Sequence, residues 1–236
     1  MFKIKIAGIN VLVNNKYKYS EYLCGDYITT EEHTDFSVSA DDADIENEIK
    51  CSDIEVNAAY AESVCIHREI AERLAEFDAF LLHSALIECD GIGVAFAAHS
   101  GVGKSTHVSL WQKNFGERVR VINGDKPIVR YVDGEFFAYG TPWLGKEGLG
   151  VNSSCIFKAL CFIERGKENK IMKVPAEIAA MPLFQQIYLP KNGENAARTL
   201  ELTDLFSSKI SFYRLACNME DEAALVSYNA IIKNEV

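Results

Sequence analysis

Apolar and polar residues alternate from the start of the chain. Over residues 2–14, Phe2, Ile4 and Ile6 fall on one side and Lys3 and Lys5 on the other, with Gly8 and Asn10 as a break before Val11-Leu12-Val13. That pattern predicts a β-hairpin or two short strands. A second strand-like piece at 35–39 follows the polar turn 29–32, and the acidic run 41–46 reads as a solvated loop or a helix start rather than a cation site. From about 55 to 77 the spacing turns helical, with Val56, Tyr60, Val64, Ile70 and Leu74 recurring and Arg68, Glu69, Glu72 and Arg73 facing out. Residues 80–87 then predict one strongly apolar strand, Asp90-Gly91 a tight turn, and 93–97 a returning strand.

A helix-like stretch follows from Thr106 and ends near Phe115-Gly116. Beyond it come a buried strand at 119–122, a hairpin of 128–131 and 135–139 turned at Asp133-Gly134, and another buried strand at 156–163. Helices are expected over 176–188 and 195–207, a strand over 210–215, and a closing helix over 220–233 with Ala224, Leu225, Tyr228, Ile231 and Ile232 along one face. Nothing repeats at a fixed period.

This order of elements predicts one α/β domain over 76–236 preceded by a small β-containing element with a helix over 1–75, a size that can bury a proper core. Lys and Arg total 24 against 34 Asp and Glu, a formal charge of -10, which argues against nucleic acid or an anionic membrane as a partner. Any phosphate must be bound locally. The seven cysteines are scattered, with no C-x-x-C pair, and read as reduced cytosolic thiols; Cys65-x-His67 reads as an ordinary helix face. No stretch approaches the ~18 apolar residues of a membrane span, and Met1-Phe2-Lys3-Ile4-Lys5 does not start a signal peptide, so a cytoplasmic location is expected.

The chemistry concentrates at Ala98-His99-Ser100-Gly101-Val102-Gly103-Lys104-Ser105-Thr106, between an apolar strand and a helix. Glycines in that setting let backbone N–H groups around Val102 close on phosphate oxygens at the mouth of a parallel sheet, and the helix N-terminus adds a favourable dipole. Lys104 would sit on the outer phosphates, Ser105 would offer its hydroxyl to Mg²⁺, and Thr106 would open the helix. Ala98 replaces the first glycine of G-x-x-x-x-G-K-[ST]. The alternative is a plain strand–turn–helix with a solvated Lys104. Asp125, in Asn123-Gly124-Asp125-Lys126-Pro127 after the 119–122 strand, is either a catalytic carboxylate or the close of a Gly-Asp turn.

With His83, Ser100–Ser105, 123–127 and the glycine-rich Gly140-Thr141-Pro142-Trp143, the stretch 80–163 resembles the catalytic domain of HPr kinase/phosphorylase, and in particular the small bacterial HPr-kinase-like, or phosphoenolpyruvate-carboxykinase-like, P-loop proteins. The resemblance implies that type of P-loop nucleotide-binding fold. It also implies Mg²⁺-assisted phosphoryl transfer from a nucleotide, ATP by expectation, to a serine-type hydroxyl of a peptide, a protein or a small metabolite. Asp125 matches the second of two adjacent family aspartates, as base or metal partner, while Gly124 stands where the first would be. That substitution sustains a second reading, a nucleotide-binding regulatory or scaffold protein without catalysis. His83 matches a histidine set beside the family's active site, though on its strand face a buried core histidine is as good a reading.

His99 reads as an exposed loop residue, Lys146 and Glu147 as solvated loop charges or nucleotide contacts, Trp143 as a substrate-closing residue or a packing anchor, and Arg214 as a phosphate partner or a structural ion pair. The four glycines of 140–150 predict a mobile segment. An oligomer is compatible with the sequence, which leaves residues 1–70 without a stated role.

Overall fold

The structure is a computed structural model that describes residues 1–52, 54–99 and 101–235. Strands β1 (Phe2–Ile6) and β2 (Ile9–Asn14) form the expected hairpin. Helix α1 (Lys18–Leu23) follows, then β3 (Phe36–Ser39), which completes a three-stranded sheet by pairing parallel to β2. The acidic run is a helix start: α2 (Asp42–Cys51) is capped by Asp41, whose side chain accepts from the Asp44 amide in a reciprocal capping box. Helix α3 (Ala58–Arg73) carries Ile66, Ile70 and Ala71 into one apolar cluster with the first sheet and with Leu74, Ala79, Leu81 and Ile128. Tyr60 and Val64, expected on that apolar side, instead face a cleft.

The remaining strands are β4 (Ala79–Leu81), β5 (Ala85–Cys89), β6 (Ile92–Ala97), β7 (Val119–Asn123), β8 (Ile128–Val132), β9 (Glu135–Tyr139), β10 (Ser154–Arg165), β11 (Lys170–Val174) and β12 (Ser211–Cys217). They build one nine-stranded sheet along the path β4-β8-β9-β10-β6-β5-β7, with β12 added parallel to the second half of β10 and β11 antiparallel to β12. Helices α4 (Lys104–Phe115) and α7 (Asp221–Glu235) cover one face, where Trp111 and Ile231 are fully buried, and α5 (Ala176–Phe184) and α6 (Gly193–Lys209) cover the other around Phe206. The molecule is thus mixed α/β with a mixed sheet, where the sequence reading anticipated a parallel one. Among the described residues no helix is long and apolar enough to cross a membrane, and all seven cysteines are free.

Residues 80–87 are two strands, not one. At 82–84 the chain leaves β8 for β6 and β7, and its backbone groups are met from elsewhere: Leu82 N–H by Pro127 O, His83 N–H by Gln186 O, Ser84 N–H by Asp125 O. That break sets His83 apart from the core. The N-terminal element is fastened by one buried acid: Glu62 of α3, fully buried, accepts from the backbone N–H groups of Lys16 and Tyr17 and from Ser20 Oγ, which holds α1 against α3. Replacing Glu62 with Ala leaves three donors without their acceptor, and a loss of about 2 kcal/mol is expected in urea unfolding.

Burial holds His107 neutral, its pKa pushed down to about 4, while Nε2 accepts from Trp111 Nε1 at 3.0 Å. Its folded pKa lies below the unfolded value of 6.5, so between pH 6.5 and 4 the unfolded chain binds a proton that the native one does not, and stability falls as pH drops through that window. In His107→Gln the dependence of the urea midpoint on pH should become shallower by one proton.

Candidate functional site

Strand direction explains why the site residues meet. β6 and β7 both run antiparallel to the β5 between them, and β10 and β12 run parallel to β6. The carboxyl ends of β6 and β7 and the amino end of β5 therefore share one edge of the sheet, where open α/β sheets bind ligands. There the glycine loop, Asp125 and His83 come together around a cleft of about 750 Å³.

In the loop, Gly101 (φ +76°) and Gly103 (φ +128°) take backbone conformations that a side chain disfavours. The Val102 amide, expected to face phosphate, is instead spent on His99 O at 3.2 Å. The open donors lie one step on. α4 begins at Lys104, two residues before Thr106, with no side-chain cap at Gly103, and its first bonded amide is His107 N–H to Gly103 O. Helix geometry leaves the first-turn N–H groups of Lys104, Ser105 and Thr106 without intrahelical acceptors. Arg165, at the end of β10, ties the loop down through Gly101 O at 2.6 Å. Ser100 lies outside the described residues.

Lys104 lines the cleft, with Nζ 2.9 Å from His83 Nε2 and 3.3 Å from Ala98 O; burial lowers its pKa. The same His83 nitrogen is 3.3 Å from Asp125 Oδ1. One imidazole nitrogen thus faces an ammonium, toward which it can only accept, and a carboxylate, toward which it can only donate. Burial pushes the Asp125 carboxyl up. The His83 hydrogen bond and the charges of Lys126, His83 and Lys104 outweigh it and leave the pKa below the usual carboxylate range.

Asp125 is placed by Asn123, whose buried Oδ1 accepts from the Asp125 and Lys126 amides at 2.8 and 2.6 Å while Nδ2 donates to Thr141 Oγ1 at 2.9 Å. The 142–147 segment walls the cleft. Trp143 is a packing anchor, stacked 4.2 Å from the His67 ring with Nε1 donating to Ser63 O. The glycines here serve close approach: a Cβ on Gly145 would meet Asp125 Cβ at 2.8 Å. The adjoining wall comes from the N-terminal element, through Tyr19, Tyr60 and His67.

His99, Lys146 and Glu147 also line the cleft, all exposed, and Arg214 forms an ion pair with Glu164 away from it. Lys126 was legible in the sequence only as the neighbour of Asp125, and His67, read with Cys65 as an ordinary helix face, instead lines the cleft. Three lysines against Asp125 and Glu147 give this cleft an excess of positive charge on an acidic chain.

Among the described residues no three His, Cys, Asp or Glu side chains gather into a metal cage. Ser105 and Asp125 on one cleft are the sparse donor set that suits magnesium carried on a polyphosphate, which keeps most of its coordination in phosphate and water.

Gly124 donates its amide to Leu149 O, and a Cβ there would stand 3.1 Å from both Leu144 O and Leu149 O. The position where the resembling family carries an aspartate is filled here by the backbone of the 144–149 segment. Gly124→Asp should therefore displace that segment and cost about 1–3 kcal/mol rather than complete the site, read as a lower melting temperature with faster proteolysis within 142–150.

No family model matches the chain, and no curated protein matches it. Among solved structures, the Hpr(Ser) kinase/phosphatase from Coxiella burnetii overlaps 66% of this chain and 92% of its own, with a TM-score of 0.40 and 8% sequence identity. At that distance the residues of this chain, and not the neighbour, have to carry the chemistry.

Proposed function

We propose that the protein transfers a phosphoryl group from a nucleoside triphosphate, ATP by preference, to a serine-type hydroxyl. One observation carries the reading: a glycine loop at a helix N-terminus, an ammonium and an ionised carboxylate converge on one cleft through a shared histidine nitrogen. Phosphoryl transfer asks a protein for little covalent chemistry and much positioning and charge neutralisation, which this set of groups supplies.

In this reading Lys104 and the first-turn amides of α4 hold the outer phosphates, with Ser105 and Asp125 toward the metal. Bound Mg²⁺ would neutralise charge on the transferring group. With Lys104 drawn onto phosphate, His83 Nε2 is free to carry a proton and bond Asp125. Asp125 orients the acceptor hydroxyl and takes its proton; as a carboxylate of lowered pKa it acts more by placement than by basicity. The wall formed by 142–147 and α3 limits water at the reacting phosphate.

Gly124 favours a second reading, a nucleotide-binding protein without transfer, since only one carboxylate of an adjacent pair is present. Two variants separate them. Lys104→Ala should lose Mg-ATP binding in calorimetry. Asp125→Asn should keep binding within a few-fold and lose transfer of labelled phosphate by about 10²-fold or more; an Asp125→Asn protein as active as the parent would overturn the assignment. Because the Asp125 pKa is lowered, activity should hold as pH falls toward the ordinary carboxylate range and fail only below it.

A further inference from the structure

A second hollow, of about 450 Å³, adjoins the glycine loop. Lys104 and Ser105 line the cleft alone, His107 and Leu110 line the hollow alone, and Gly101, Gly103 and Thr106 line both, so the loop and the first turn of α4 form a rim between them. The far wall is Ile163 and Arg165 from the end of β10, with Cys217, Asn218 and Met219 at the turn from β12 to α7. β6, β10 and β12 run parallel, so the hollow lies along the same carboxyl edge of the sheet as the cleft.

Hydrogen bonds within the chain hold that wall in place. Gly166 N–H donates to Cys217 O at 2.9 Å, Asn218 N–H donates to Asn169 Oδ1 at 3.0 Å, and Asn218 Oδ1 accepts from Glu220 N–H at 3.0 Å. No Asp or Glu lines the hollow, and burial keeps His107 neutral, which leaves Arg165 as the one charge among the described residues that line it. Its Nη2 donates to Gly101 O at 2.6 Å, which places the guanidinium at the rim. Val102, Leu110, Ile163 and Met219 supply apolar surface, and the Met219 side chain stands at the lip, 78% exposed.

The hollow therefore offers a pre-formed, largely apolar slot, within the ~300–1,000 Å³ range of small-molecule sites, with one cation on the edge it shares with an anion-binding loop. A ligand that complements both spaces has a polyanionic end and a flat, mostly apolar end.

We propose that this hollow seats the nucleoside of the phosphoryl donor and takes a purine in preference to a pyrimidine. The inference rests on the nucleotide-binding part of the reading above and not on transfer. With the terminal phosphate on Lys104, the phosphate chain crosses the rim at Gly103 and Thr106, and Arg165 meets the phosphate nearest the ribose. The base then lies against Leu110 and the apolar surface around it, and Met219, a flexible thioether, folds over its edge. Apolar contact grows with the area covered, so a two-ring base gains more here than a one-ring base. The aromatic pair of the cleft is a poorer seat. Tyr19 and Tyr60 already lie against each other, ring centroids 6.3 Å apart, and a base beside them would stand in the space through which an acceptor must reach the phosphate next to Asp125.

The test uses the full chain and calorimetry with Mg-ATP, Mg-CTP and Mg-tripolyphosphate, the last a triphosphate without a nucleoside. Mg-ATP should bind about tenfold more tightly than Mg-tripolyphosphate and about fivefold more tightly than Mg-CTP. Leu110→Gln, similar in length but polar, should lower ATP affinity about tenfold and leave tripolyphosphate affinity within about twofold. Met219→Ser, at an exposed position that the core does not use, should act in the same direction by about threefold, and it decides the matter if Leu110→Gln fails to fold. 8-Azido-ATP photolysed on the parent chain should label 102–110 or 217–219. Tripolyphosphate binding as tightly as ATP, ATP affinity unchanged in both variants, or label on Tyr19 or Tyr60 overturns the seat and leaves the phosphate loop standing; equal affinity for CTP overturns the purine preference. Binding of neither ATP nor tripolyphosphate removes the nucleotide reading and the seat together.

Discussion

The site hangs on a fully buried amide. Asn123 ends β7 with no solvent to satisfy it, and all four of its side-chain hydrogen-bonding positions are spent: two donors on Thr141 and two acceptances from the amides of Asp125 and Lys126. Thr141 in turn donates to Lys126 O. This closed network fixes the turn that aims Asp125 at His83. It also fixes the start of the glycine-rich segment that walls the cleft, so the carboxylate and its cover are set by one side chain. A partly satisfied network at that depth would cost more than an apolar one, which makes the arrangement all-or-none.

Charge is organised just as locally. The chain as a whole carries a formal charge of -10, yet the cleft gathers Lys104, Lys126 and Lys146. Lysines clustered in a concave site focus a positive local field within an otherwise acidic surface. Lys104 is held on His83 Nε2 and Ala98 O, and burial makes its ammonium costly and lowers its pKa.

The first seventy residues acquire a role from packing alone. Glu62 gathers α1 against α3, and α3 presents Tyr60, Ser63, Val64 and His67 to the cleft. Trp143 stacked on His67 then joins this element to the glycine-rich segment. The apolar cluster that contains Ile66 and Ile70 also holds Leu81 and Ile128, so the wall and the sheet edge share one core. That wall of the cleft is thereby built from parts distant in the chain.

What the sequence determined by itself was whatever depends on neighbours along the chain. Hydrophobic period located nearly all the strands and helices, and Asp133-Gly134 marked its turn. The strand, glycine loop and lysine in succession pointed to an anion site, because helix termini and glycine dihedrals are local properties. The same local reading missed α1 and β11, ran β4 and β5 together across His83, did not foresee the close approaches made at Gly124 and Gly145, and placed Tyr60 and Val64 on the core side of α3. The last three were decided by groups far away in sequence: Gln186 and Asp125 accept the amides at the strand break, Asp125 and the carbonyls of 144–149 crowd the space beside Gly145 and Gly124, and the cleft rather than the core meets one face of α3. Only the tertiary structure decided that His67, Lys126 and Gln186 line one small cavity beside the cleft, because their proximity follows from sheet order and helix docking, and no periodicity along the chain encodes it.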